Sequence, residues 1–181
     1  MNKERLIKNI IDQIKEAQIK LGYVKETVRL YYPVTSLNAI LGTDLSDENS
    51  MLAALCENKF KDDTVLGTLK FSSHKGRIEV SIPPEGVEYV HTQVPRPEFL
   101  SDMINLFANH HSCSLEDIKS VFGKYSEAYH CEKMQEGTDF DYALYFTEPD
   151  IDEYYYCVKQ EMGHTIYHRF SKEDYELLLE V

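Results

Sequence analysis

The chain has 181 residues, with 19 lysines and arginines against 31 aspartates and glutamates and a formal charge of −12. That length suits one ordinary domain, able to bury about 70% of the surface its unfolded chain exposes and to fold without staples. The charge disfavours a general nucleic-acid binder, because neutralising phosphates takes clustered cations, and no apolar stretch approaches the roughly 18 residues that suggest a membrane span.

Cys56, Cys113, Cys131 and Cys157 show neither a CxxC pair nor framework spacing, and the opening MNKERLIKNII has no uninterrupted apolar run of the kind a signal peptide needs. Reduced thiols and a cytoplasmic location are therefore expected. Residues 1–29 hold seven Lys or Arg and four Asp or Glu, leaving 12 cations against 27 acids in the remainder. This reads as a solvated basic helix face next to an acidic domain.

In chain order, Lys3 to Gly22 carries Ile7, Ile10, Ile14, Ala17 and Leu21 at helical steps, with Ile11 widening the stripe, and Gly22 ends it. Val28 to Tyr32 reads as a short strand before Pro33. Ser36 is placed as the cap of a brief helix through Leu37, Ile40 and Leu41 that stops at Gly42, and MLAALCENKF follows as another helix. Thr64 to Val94 reads as a β-meander. Its first turn is Lys75-Gly76, because that choice pairs Phe71 with Val80 and Leu69 with Ile82 on one face. Beyond Pro83-Pro84-Glu85-Gly86, a further strand is expected with Val87, Tyr89 and His91 on the same apolar side. Pro95-Arg96-Pro97 then breaks the sheet and opens a helix striped by Phe99, Met103, Leu106, Phe107 and His110. Ser114 caps the next helix, which carries Leu115, Ile118, Val121, Phe122 and Tyr125. Strands are expected near Ala128 to Met134 and Phe140 to Phe146, turning at Glu136-Gly137-Thr138.

The segment YYYCVKQEMGHTIYHRF, residues 154–170, reads as a β-hairpin around Gly163. A two-residue loop, Met162-Gly163, leaves both faces mixed. A three-residue loop, Glu161-Met162-Gly163, sets Tyr154, Tyr156 and Val158 beside Ile166, His168 and Phe170, giving one apolar and one polar face, and is the predicted register. Ser171 then caps a closing helix, with Asp174 in its first turn and Tyr175, Leu178 and Leu179 on its stripe. The expected architecture is α+β, with antiparallel β-meanders packed against amphipathic helices in a single compact domain, 1–181. Residues 95–97 are where it would subdivide. From its LIKNIIDQIKEAQIKLGY helix to this closing hairpin, the chain resembles small bacterial proteins grouped as a domain of unknown function. The resemblance spans the full length; it implies no activity and assigns no site residue.

No serine elbow, HExxH helix, glycine-rich phosphate loop or EF-hand pattern is present. His110, His111 and Cys113 have ligand chemistry suited to zinc but lack a fourth ligand at a recognisable spacing. A histidine pair at a helix C-terminus is explained by its favourable interaction with the helix dipole, which is the preferred reading. Cys157 and His168 are the tempting nucleophile and base, yet the predicted register sends them to opposite faces and makes His168 a hydrogen-bonded core residue. No cofactor is expected. The acidic run 148–153, with Tyr145 and Tyr155 alongside, offers carboxylates and amphipathic rings of the kind enriched at interfaces. The functional expectation is a non-enzymatic, cytoplasmic protein-binding domain of adaptor or inhibitor type, engaging a basic protein partner through Tyr145, Glu148, Asp150, Asp152, Glu153 and Tyr155. Nucleic acid and membrane are not expected as partners. The rival is a small hydrolase or metal-dependent enzyme built on the His/Cys groups.

Overall fold

The computed structural model describes residues 1–57, 64–109, 113–148 and 150–179. The chain is α+β, with two antiparallel sheets of three and four strands among helices. It divides at the Pro95-Arg96-Pro97 break into two compact units, Met1–Arg96 and Pro97–Val181.

In the first unit, helix α1 (Lys3–Leu21) starts where the Asn2 side chain accepts the Arg5 amide and ends at Gly22, whose φ of 86° suits a residue without Cβ. Its buried stripe is Leu6, Ile10 and Ile14, with Ile7 and Ile11 packed at the margin. Ala17 and Leu21, expected on that stripe, are exposed, because the packed face runs on from Ile14 to Gln18, whose side-chain amide donates to the Val87 carbonyl at 3.0 Å. Strand β1 (Val28–Tyr32) is followed by α2 (Val34–Leu41) and α3 (Glu48–Glu57). Helix α2 begins just after Pro33, two residues before the predicted cap Ser36, and stops at left-handed Gly42 as expected. The last residues of MLAALCENKF, 58–60, lie outside the described residues.

Strands β2 (Lys70–His74) and β3 (Arg77–Ile82) meet at a turn with positive φ at both Lys75 and Gly76, in the predicted register with Phe71 opposite Val80. β1 pairs with the other edge of β3, so the order is β1-β3-β2. The strand expected at 87–91 is instead a helix, α4 (Pro84–Gln93). Pro84 sits at its first position with φ preset for a helix, and Val87 and Val90 are buried at helical spacing. Over so short a stretch Val87, Tyr89 and His91 satisfy a period of two while Val87 and Val90 satisfy the helical period, and tertiary packing selects the latter. Lys15, buried on α1, donates to the carbonyls of Val90 (3.0 Å) and Val94 (2.6 Å) and so satisfies the end of α4. Burial, reinforced by nearby Arg96, lowers its pKa.

The second unit opens with α5 (Glu98–Asn109) and α6 (Leu115–Tyr125), the latter closed by a reciprocal capping box between Ser114 and Asp117. Strands β4 (Tyr129–Lys133), β5 (Tyr142–Phe146), β6 (Tyr155–Glu161) and β7 (His164–Phe170) form a meander in sequence order. Helix α7 (Lys172–Leu179) closes the chain, with Ser171 and Asp174 capping as predicted. Phe99 stands edge-on to Phe122, Phe146 and Tyr156 at centroid distances of 4.8 to 5.5 Å, in the aromatic core between α5, α6 and the sheet.

The β6–β7 hairpin does not have its predicted register. Its loop is the two-residue Met162-Gly163, with φ of 50° and 79°, which pairs Tyr156 with Arg169, Cys157 with His168 and Val158 with Tyr167. The physical reason is burial on both sides. Tyr156 and Val158 join the Phe99 core, while Ala143 and Cys157 pack with Met134 and Tyr175 in a second cluster flanked by Tyr155 and Phe170. A strand covered on both faces has no reason to sort apolar from polar by alternation. Consequently Ile166, expected in the core, is 49% exposed, and His168 is an exposed residue rather than a core one.

One glycine ties the first unit together. A Cβ on Gly86 would lie 2.2 Å from the Leu66 carbonyl oxygen, well inside contact distance. Gly86→Ala should therefore destabilise the protein by about 1–3 kcal/mol in urea unfolding, whereas Gly123→Ala, with nothing within 4 Å, should not.

Candidate functional site

The pairing of β5 with β6 decides which tyrosines share a face. β5 and β6 place Tyr145 and Tyr155 together on the α7 side of the four-stranded sheet, with ring centroids 4.5 Å apart. Tyr155 is stacked on Tyr175 of α7 at 4.3 Å and 13°, and Tyr145 continues the row to His130 of β4 at 5.2 Å. Tyr175 donates its hydroxyl to Glu132 Oε1 at 3.0 Å, which anchors α7 through a ring stack and one polar contact. Glu132 is an exposed residue, so its carboxylate sits at the edge of an aromatic row.

The electrostatics of this face are negative. Burial first, then the Glu132 carboxylate and the neighbouring tyrosine, raise the pKa of Tyr145. Burial, Glu176 and Glu132 do the same to Tyr155. For Tyr175, burial and the hydrogen bond to Glu132 push the phenol up strongly. All three are held as neutral hydroxyls at physiological pH, so the face presents intact aromatic rings beside acidic side chains.

The acidic run is divided by the fold. Glu148, Asp150 and Glu153 are exposed in the connection from β5 to β6. Asp152, expected beside them at the partner surface, is turned inward with its side chain 4% exposed. Its Oδ1 accepts the Tyr154 amide at 2.9 Å, and its Oδ2 accepts the Tyr156 hydroxyl at 3.2 Å and Arg169 Nη2 at 3.4 Å. The Arg169 guanidinium lies 3.4 Å above the Tyr154 ring. Burial raises the Asp152 pKa against the opposing pull of Arg169 and the hydrogen bonds. Asp152 is thus the pin that fixes the loop to β7, and a carboxylate with three donors around it is a structural acceptor.

The rival catalytic groups have definite places. Cys157 and His168 are directly opposite across β6 and β7, contrary to the predicted separation. Cys157 is fully buried, however, and burial together with Glu132 pushes its thiol up to about 12. That leaves it protonated at neutral pH, the reverse of what a cysteine nucleophile needs. His168 packs beside Phe140 with centroids 5.4 Å apart. Of the zinc-like group, His110 and His111 lie outside the described residues, and Cys113 is buried with its thiol raised by burial. Among the described residues no three His, Cys, Asp or Glu side chains are placed to hold a metal. An open pocket of about 430 Å³ lies beside the hairpin turn, between Cys113, Asp117, Gln160 and His164. Two of its polar groups are already engaged: Asp117 closes the capping box, and the Thr165 hydroxyl donates to the Cys113 carbonyl.

Glu132, Tyr175 and Arg169 complete the face and its support; Glu132 carries no signal in the sequence, Tyr175 is expected there only on the stripe of the closing helix, and Arg169 only on the polar face of the hairpin. Each is brought there by cross-strand or helix-to-sheet packing, which only the register reveals.

Two antiparallel sheets with flanking helices define an α+β fold, whose second unit carries a row of tyrosines beside carboxyl side chains. The chain belongs to the DUF3877 family, a domain of unknown function described from an E. rectale gene, whose family model matches residues 3–179. No curated protein and no solved structure matches it. No described helix is long and apolar enough to cross a membrane.

Two measurements check these placements. Asp152→Asn, which removes the negative charge from the buried contact with Arg169 and Tyr156, should cost about 1–3 kcal/mol in urea unfolding, while Asp150→Asn should stay within about 0.5 kcal/mol of the parent. A thiol reagent at neutral pH should modify exposed Cys56 rapidly and leave Cys157 unmodified until denaturant is added; comparable native labelling of both would contradict the burial of Cys157.

Proposed function

We propose that the chain is a non-enzymatic protein-binding domain of adaptor or inhibitor type, whose acidic, tyrosine-bearing face in residues 97–181 engages a basic segment of another protein. The observation that carries this reading is the convergence of Tyr145 and Tyr155 beside the carboxylate of Glu132, with the exposed acids Glu148 and Asp150 on the adjoining loop. A lysine or arginine held over a tyrosine ring gains from the ring quadrupole as well as from the nearby negative charge.

The charge distribution supports the same polarity. Residues 1–96 contain 13 Lys or Arg and 13 Asp or Glu, whereas residues 97–181 contain 6 and 18, so the entire net charge belongs to the second unit. A potential of one sign draws a cationic partner in and accelerates encounter, more strongly at low salt. Asp152 drops out of the proposed contact set because Arg169 already holds it. The working face is Tyr145, Tyr155, Glu132, Glu148, Asp150 and Glu153.

Calorimetric titration with a Lys/Arg-rich peptide of about ten residues tests this reading. Tyr145→Ala should weaken binding about threefold or more, and the double variant Glu148→Lys/Asp150→Lys should weaken it further, with thermal melting unchanged. Failure of the parent protein to bind such peptides at low salt, or equal binding by both variants, would overturn the reading.

A further inference from the structure

The three-stranded sheet of the first unit buries one face only. Ile78, Val80 and Ile82 of β3 point into the core, while the alternate face carries Arg29, Tyr31, Lys70, His74, Arg77 and Glu79. The register sets Arg29 and Lys70 on either side of Ser81, Tyr31 beside Glu79, and His74 beside Arg77. Tyr31 is 42% exposed, a large aromatic left open on a sheet surface. Its ring lies 5.5 Å from that of His74.

Cations dominate this face in a chain that is otherwise acidic. Lys75, in the turn between β2 and β3, adds a fourth to Arg29, Lys70 and Arg77, and among the described residues of the three strands Glu79 is the one carboxylate on this face. That carboxylate is already compensated: Arg29 Nε lies 3.6 Å from it, and the Ser81 hydroxyl donates to it at 3.0 Å. Since the first unit has equal numbers of cations and acids, and charges beyond about 8 Å are screened at physiological salt, the local positive potential survives the negative total.

Size and shape narrow the ligand. Three strands are about 10 Å wide, and the five-residue run from Arg77 to Ser81 is about 13 Å long. That is the footprint on which aromatic-bearing open sheets stack two or three bases. An anionic helix or a lipid headgroup layer needs the cations but has no use for two exposed rings between them.

We propose that this open sheet face binds single-stranded nucleic acid, with bases stacked on Tyr31 and His74 and phosphates held by Arg29, Lys70 and Arg77. The surface is independent of the tyrosine face in residues 97–181. It also confines the exclusion drawn from net charge: the chain as a whole is no general nucleic-acid binder, and one face of it has the required pattern.

The test is fluorescence anisotropy of the full chain with a labelled single strand of about ten nucleotides, as oligo-dT and as oligo-rU, from about 50 mM salt upward. Three phosphate contacts predict that log K falls with log salt at a slope of about −2, and Arg77→Ala should reduce that slope by about 0.7. Tyr31→Ala should weaken binding about fivefold or more, with Tyr31→Phe restoring it, because the ring and not the hydroxyl does the stacking. Circular dichroism of each variant separates loss of binding from loss of fold. Absence of binding at the lowest salt overturns the proposal, as does binding that survives both Tyr31→Ala and Arg77→Ala. Equal affinity for duplex, for heparin or for phosphatidylserine vesicles also overturns it, since those ligands would be held by charge alone.

Discussion

Burial of the second sheet on both faces is the constraint on which the lower half of the chain depends. β6 gives Tyr156 and Val158 to the core under α5 and α6, and gives Cys157 to the cluster under α7. Because both sides are covered, every residue of this strand from Tyr155 to Val158 has packing to lose on a shift of register, and a one-residue slip would exchange the two sets. The same two-sided burial makes the thiol of Cys157 inert and brings Tyr145 and Tyr155 into one row. Asp152 reinforces it from the end of the strand, joining the incoming loop to Arg169 of β7.

Much of the fold was legible because local chemistry and tertiary packing agree. Lys75-Gly76 bears the left-handed turn that its register needs, Gly42 ends α2 in the left-handed conformation, and Ser114 with Asp117 closes α6. Where the two disagree, packing prevails. Val87 to His91 alternates like a strand, but Pro84 at the first helical position and the close approach of Gly86 to Leu66 make it a helix. At the hairpin, the rule that one face should be apolar selected the wrong loop, because α7 supplies a second apolar environment that strand alternation alone does not announce.

The candidate site was legible in part for the same reason. Tyr145 and Tyr155 were identified from composition and proximity to acids, and they do lie ring to ring. Asp152 was grouped with Glu148 and Asp150 by sequence adjacency, yet it faces Arg169 and Tyr156, seventeen and four residues away, and no local signal separates an inward acid from an outward one. Glu132 and Tyr175 are 43 residues apart in sequence and meet only through the fold. Charge shows a similar lesson on a larger scale. A net of −12 describes the chain, but the two units differ, one balanced and one strongly acidic, and it is the distribution that selects partners.

The inward turn of Asp152 toward Arg169 and the opposition of Cys157 and His168 rest on which residues oppose each other across β6 and β7, so cross-strand nuclear Overhauser contacts in this hairpin are the most direct test. The two-residue turn predicts backbone contacts between Val158 and Tyr167 and between Tyr156 and Arg169. Contacts between Val158 and Ile166 and between Tyr156 and His168 would instead establish the three-residue loop, move Cys157 and His168 to opposite faces, and contradict the account.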